Sequence, residues 1–322
     1  MQINIENENI EFVRNTILVN QCCKIIALCS ECLVVPIKGI SLLFSIYKND
    51  YSRNVGDIDL LIPENKMDAF IKKLSGTGYT LRTQKMNSYR MKSKRKFDMV
   101  HHDSRYCDLD IHVDLINKKF FRLSVEGDFT SFALSRLKKA AYKGTTIYLL
   151  SPVDEWIYLA QHYCFHLFSN DKWLKDLYLI QRRFSEDDIA ELVLITKKFH
   201  FERLVTAASR RLSTKYDKTE INIPEILTKK QFVFDLLFRK PNQKFAPTFS
   251  NRIIADYWEF IFIDNNKSRI SAYLQLLFPQ LTVLLDMYHF KSKTGCFFYP
   301  VHLLFVILSS ILFFPLLIYS VK

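Results

Sequence analysis

Asp57 and Asp59 stand two residues apart in Arg53-Asn54-Val55-Gly56-Asp57-Ile58-Asp59-Leu60-Leu61-Ile62, at the start of an apolar run that ends at Pro63. The alternation has the period of a β-strand, so both carboxylates project from one face, roughly 7 Å apart. Two acids held that way repel each other, and a cation between them relieves the repulsion. Hard carboxylate oxygens suit Mg²⁺, which takes few protein ligands and leaves its other positions to water and phosphate. The pair therefore points to a metal platform for phosphoryl or nucleotidyl transfer. The plainer reading is a solvated strand face.

The neighbouring residues favour the chemical reading. In Val34-Val35-Pro36-Ile37-Lys38-Gly39-Ile40-Ser41-Leu42-Leu43-Phe44 a short strand-like run ends at Lys38-Gly39 and a helical pattern begins. A helix N-terminus after a glycine turn presents backbone N–H groups to phosphate, and Lys38 and Ser41 add a charge and a hydroxyl there. Further on, Asp108-Leu109-Asp110-Ile111-His112-Val113-Asp114-Leu115-Ile116 alternates without a break. Its aliphatics would face a core, while Asp108, Asp110, His112 and Asp114 share the other side. Asp108 and Asp114 are expected to lie on a solvated edge.

Lys38-Gly39, Arg53, Asp57-Ile58-Asp59-Leu60-Leu61 and the Asp110-Ile111-His112 strand resemble, in order and spacing, the nucleotidyltransferase superfamily with its DNA polymerase beta-like fold. The likeness is to the bacterial branch of uncharacterised nucleotidyltransferases. The Gly-Ser pair usual in the superfamily is absent, since Ile40 follows Gly39 and Ser41 comes one residue later. The resemblance implies that Asp57, Asp59 and Asp110 are the catalytic metal carboxylates. It makes Asp110 the candidate general base as well, and has His112 position substrate. It also implies Mg²⁺ (or Mn²⁺), a nucleoside triphosphate substrate, attack at the α-phosphorus and release of pyrophosphate. Lys38 and Arg53 would then neutralise phosphate, a task for which arginine offers a bidentate fork. Members of this branch also carry histidines in the second half followed by an Asp-Leu pair like Asp176-Leu177. His162 and His166, four apart on one helix face, and Asp176 are therefore candidate substrate-pocket residues. Buried hydrogen bonding between helices is an equal alternative for the three.

These residues need an α/β (α+β) framework: a small mixed-sheet core, then a helical half, then an apolar C-terminal segment. The expected bounds are 1–145, 146–290 and 291–322. Residues from about 10 to 30 read as an amphipathic helix and Pro63 to Leu74 as another, stopped by Gly76 and Gly78. Strand-like pieces follow at Tyr79 to Thr83, Phe97 to His101 and Cys107 to Ile116. A link near Lys143-Gly144 leads to Ser151-Pro152, which carry N-cap and first-turn signals.

With 322 residues the chain can bury a sizeable core, and its net charge of +12 suits an anionic partner. The basic runs Lys92-Ser93-Lys94-Arg95-Lys96 and Arg210-Arg211 are short, without interleaved aromatics, and read as solvated loops or helix ends rather than a nucleic-acid site. Seven cysteines fit a reduced cytosolic protein. The lone Cys29-Ser30-Glu31-Cys32 lacks a second ligand pair, so packing is the expected use. The polar opening reads as having no export signal. Phe297 to Val321 carries no charge and is long enough to cross hydrocarbon, although Pro300 and Pro315 weaken it as a helix. It reads as an anchor to the inner face of the cell membrane or as a membrane-skimming or core-buried hairpin.

Three functions stay open at this point. The leading one is an enzyme modifying a small molecule, saccharide precursor or peptide. The others are an RNA-directed nucleotide-adding enzyme and a non-catalytic membrane-attached binding protein.

Overall fold

The computed structural model describes residues 2–47, 53–82, 95–116, 128–166, 168 and 170–216, with short stretches between 270 and 308. The chain divides into two compact units, residues 1–115 with 129–155 and residues 116–128 with 156–322.

The first unit is built on a five-stranded mixed sheet. Its strands are β1 (Val35–Pro36), β2 (Ile58–Leu61), β3 (Tyr79–Leu81), β4 (Lys96–His101) and β5 (Leu109–His112). Their spatial order is β1-β2-β5-β4-β3, and β2 pairs parallel with β5 while every other pairing is antiparallel. The sheet is flanked by α1 (Gln2–Leu28), α2 (Lys38–Ser45), α3 (Met67–Ser75) and α4 (Phe129–Leu134). In α3 the spacing of Met67, Phe70 and Leu74 puts all three on one buried face.

Strand parity decides what the sheet buries. Leu109, Ile111, Val113 and Leu115 are all under 7 % exposed, as the alternation requires. For Asp114 the expected solvated edge is corrected: β5 lies between β2 and β4 and has no free edge. Asp114 is buried and accepts a hydrogen bond from Arg95 Nε at 2.8 Å, and Asp108 is half-buried and paired with Arg82. The solvated reading of the basic run also fails for its last two residues. Arg95 joins Asp114 to Glu64, with Nη2 2.7 Å from Oε2, and Lys96 opens β4. Lys92 to Lys94 lie outside the described residues.

The stretch near Lys143-Gly144 is the turn of a hairpin, β6 (Lys138–Tyr142) with β7 (Thr145–Leu149). Lys143 and Gly144 have φ of 46° and 80°, the two positive values that a right-twisted two-residue hairpin loop requires. A boundary at 145/146 would cut this hairpin in two.

Helix α5 (Pro152–Phe165) begins where Ser151-Pro152 signalled it: Ser151 Oγ accepts a hydrogen bond from Asp154 N at 3.2 Å. In the second unit α6 (Asp171–Gln181) is capped by Asn170 and α7 (Glu186–Lys198) by a Ser185–Asp188 capping box. Helix α8 (Glu202–Lys215) follows, with Leu177, Ile195, Phe201 and Leu204 among the buried side chains. Arg211 caps the Phe168 ring at 4.9 Å.

The described cysteines are free thiols, and Cys22, Cys29, Cys32 and Cys164 are buried. Burial pushes the Cys29 thiol up to about 12 and raises Cys32, which suits packing rather than redox or metal chemistry. Among the described residues no helix is long and apolar enough to cross a membrane. Most of 297–321 lies outside the described residues. The part within them, at 299–304 and 306–308, is helical with His302 and Val306 buried.

Candidate active site

The parallel pairing of β2 with β5 sets Asp59 directly beside Asp110 and Leu61 beside His112. On the other flank of β5, Asp98 pairs with Asp110 and Lys96 with His112. Equal parity puts Asp59, Asp110, Asp98, His112 and Lys96 on one face of the sheet. Two carboxylate oxygens and one imidazole nitrogen, from Asp59, Asp110 and His112, lie within 4.8 Å of one another. His112 Nε2 is 3.2 Å from both Asp59 Oδ1 and Asp110 Oδ2.

Lys38 opens α2 at the edge of this face. Its Nζ pairs with Asp59 Oδ1 and lies 3.6 Å from Asp110 Oδ2 and 3.2 Å from His112 Nε2. The ammonium thus sits among the three ligand-type side chains. Its backbone is unusual too, with φ of 55°, a left-handed value that costs a residue with a side chain about 1–2 kcal/mol. Sequence spacing assigns the special conformation to Gly39, but Gly39 serves a different end: a Cβ there would overlap the Arg53 guanidinium.

Arg53 itself is buried against that glycine, 7 % exposed, and donates from Nη1 to Asn54 O at 3.4 Å. Helix α1 fixes the loop between Arg53 and Asp57. Asn15 Nδ2 donates to Arg53 O at 2.7 Å, Arg14 Nη2 to Gly56 O at 3.4 Å, and Glu11 accepts from Asn54. Ser41 is fully buried, and its Oγ has no hydrogen-bond partner among the described residues.

Asp57 precedes β2 and is exposed, outside the three-residue group, where strand parity from sequence put it beside Asp59. It lines a cavity of about 860 Å³ together with Asp110, Asp98, Lys96 and Arg82, a volume that suits a small-molecule ligand. Crowding around the carboxyl raises its pKa, and the charge of Asp59 adds to the rise. For Asp110 burial also acts upward, but the His112 hydrogen bond and the charges of Lys96 and Lys38 outweigh it. They hold Asp110 well below the usual carboxylate range. An acid held ionised so firmly is a good cation ligand and a weak proton acceptor near neutral pH.

The donor set fits a divalent cation. Two hard oxygens suit Mg²⁺ or Mn²⁺, and the imidazole leans towards Mn²⁺. Asp110 Oδ1 is buried without a hydrogen-bond partner among the described residues, a lone pair still to be satisfied.

Residues 6–213 match the family described as uncharacterised nucleotidyltransferase. The chain belongs to that family. A search of curated proteins returned no match. Membership makes this chain a transferase by family.

Other expected residues of this nucleotidyltransferase fall in the helical unit. His162 and His166, with ring centroids 4.4 Å apart, pack against Trp173 edge-on at 4.5 Å and tilted at 5.1 Å. Asp176 is fully buried. Among the described residues these three do not form a group able to hold a metal ion. Sequence reasoning missed Lys96, Asp98 and Arg82. The signal was present in Lys96-Phe97-Asp98-Met99-Val100, whose alternation places Lys96 and Asp98 on the face opposite two buried residues, Phe97 and Met99.

Proposed function

We propose that this nucleotidyltransferase moves a nucleoside monophosphate from a nucleoside triphosphate to a small molecule, saccharide precursor or peptide and releases pyrophosphate, in a reaction that requires Mg²⁺ or Mn²⁺. The observation that carries the reading is the β2–β5 pairing, which assembles Asp59, Asp110 and His112 from segments about fifty residues apart. These three would hold the cation. Once bound, it supplies positive charge against the phosphates and polarises the attacking oxygen.

The chain's own groups supply the rest. Lys38 and Lys96, both paired with the carboxylates, offer ammonium groups at the phosphate-facing side. Asp57 forms the rim at which the acceptor enters, and the α1 hydrogen bonds to the loop before it keep that rim in place. Asp98 and Arg82 line the far side of the cavity.

The test is transfer of label from each α-labelled nucleoside triphosphate into source-cell extract, run with wild type and with Asp59→Asn and Asp110→Asn. Losing a ligand to a cation worth several kcal/mol should slow transfer by about a thousandfold. An undiminished rate in both variants would overturn the proposal.

A further inference from the structure

Helix α1 carries apolar residues on two faces. Leu18, Val19, Cys22 and Ile25 are buried in the first unit, as a packed helix requires. Ile10, Val13 and Ile17 form a second stripe at spacings of three and four, and are 64 %, 57 % and 53 % exposed. They make one wall of a groove of about 620 Å³, whose other wall includes Tyr106 and Cys107. Large apolar side chains gathered in the open at one concave place mark a binding surface more often than chance exposure.

Two observations say what the groove takes. It is continuous with the acidic cavity, because Gly56, Ser104, Tyr106 and Cys107 line both. Gly56 forms the sill between them, and a side chain there would point into open space. A molecule in the groove therefore reaches the carboxylates with one end. The larger polar groups at the rim of the groove also have partners within the protein. Gln21 donates to Cys107 O at 3.0 Å and accepts from Cys107 N at 3.0 Å. Arg14 bonds Gly56 O, and Arg105 clamps Asp103 through Nε at 2.9 Å. A nucleobase or sugar placed against the Ile10, Val13 and Ile17 wall would give up hydrogen bonds to water that this wall cannot return. A hydrocarbon body loses nothing of that kind.

We infer that the α1 groove seats the acceptor, and that the acceptor is a hydroxyl compound with an apolar, hydrocarbon body; this rests on the transfer reading above. The nucleotide occupies the carboxylate cavity and the acceptor's polar end crosses Gly56 to meet it. The acceptor oxygen forms a bond to the α-phosphorus and the α–β bridging P–O bond breaks. Pyrophosphate leaves with that bridging oxygen and its electron pair, and the hydroxyl proton goes to solvent at the rim.

The test uses n-octyl β-glucoside below its micelle concentration, with glucose as the polar control, titrated calorimetrically into the full chain and into a Val13→Asp/Ile17→Asp variant. Both positions face solvent, so folding is checked by the melting temperature and by Mn²⁺ binding. Wild type is expected to bind the octyl compound saturably at one site and to ignore glucose. The variant should bind it at least about tenfold more weakly, since each methylene returned to water weakens binding several-fold. No binding, or equal binding by the variant, overturns the inference. So does a dimer in sedimentation that the variant splits, which would make a second copy the occupant. Label transfer into organic-soluble and aqueous extract fractions separates this inference from the transfer reading. Transfer only to aqueous acceptors, at a rate the variant leaves unchanged, sinks the groove and keeps the chemistry. Saturable octyl binding with no transfer in any fraction sinks the chemistry, and with it the acceptor assignment.

Discussion

Replacing Lys38 by Met removes a positive charge from the centre of the carboxylate face and leaves its volume and backbone nearly unchanged. The Lys38, Asp59 and Asp110 side chains are 12 %, 4 % and 12 % exposed, so solvent screens their pairing little. A hydrogen bond to a charged group contributes about 1.5–3 kcal/mol. A divalent cation that binds Asp59 and Asp110 must displace the ammonium and forgo that interaction. Lys38→Met removes the competition, so Mn²⁺ should bind the variant about 10–100-fold more tightly, by the usual tenfold per 1.4 kcal/mol. Without metal the same variant leaves the buried Asp59 without its ammonium partner, while Asp110 keeps Lys96, and should be less stable by about 3 kcal/mol. Its melting temperature should therefore rise more on adding Mn²⁺ than that of wild type. Calorimetric Mn²⁺ titration and melting curves with and without Mn²⁺ read both effects. Equal or weaker Mn²⁺ binding by Lys38→Met would refute the reasoning, because it would mean that the ammonium does not compete for these ligands.

Other perturbations have equally definite outcomes. Gly39→Ala forces Arg53 out of its buried place and should cost about 1–3 kcal/mol, measured by denaturant unfolding; an unchanged midpoint would show that Arg53 relocates freely. Arg95→Met removes the guanidinium beside the buried Asp114 carboxylate and should cost about 3 kcal/mol, with partial recovery in Arg95→Met/Asp114→Asn. Burial pushes Cys29 and Tyr79 up to about 12. In the unfolded chain they ionise near their ordinary values of 9 and 10, so between about pH 9 and 12 the unfolded state holds fewer protons than the native one. Stability is therefore intact below that window and falls as pH rises through it. The Tyr79 share is about 2–3 kcal/mol, and Tyr79→Phe should flatten the fall above pH 10 in pH-dependent melting.

The elements set by local pattern were legible in the chain. Period-two alternation gave β2 and β5 and the inward side of Leu109, Ile111, Val113 and Leu115. Ser151-Pro152 gave the start of α5, because a cap acts within one turn. What alternation cannot express is which strands pair. The contact of Asp59 with Asp110 and His112 depends on β2 lying parallel to β5, a non-local choice that only the family likeness implied. The same limit explains Asp114, whose partner Arg95 lies just before another strand, β4, so its own neighbours gave no sign of burial. Lys96 was hidden for a different reason. A run of basic residues resembles a solvated loop, and the alternation that makes it a strand starts at its last member. Asp57 shares the cavity with Asp110 but lies outside the Asp59–Asp110–His112 group, and β2 begins one residue after it. At Lys143-Gly144 the turn dipeptide is visible in the sequence, but nothing local says that the segments on either side pair as a hairpin.

The claim on which the rest depends is that β2 and β5 together build a divalent-cation site. Anomalous diffraction from crystals grown with saturating Mn²⁺ tests it directly. The account predicts a peak bonded to carboxylate oxygens of both Asp59 and Asp110, with Lys38 Nζ moved away from Asp59 Oδ1. A peak at His162 and His166 instead, or no peak between the two aspartates, would contradict it.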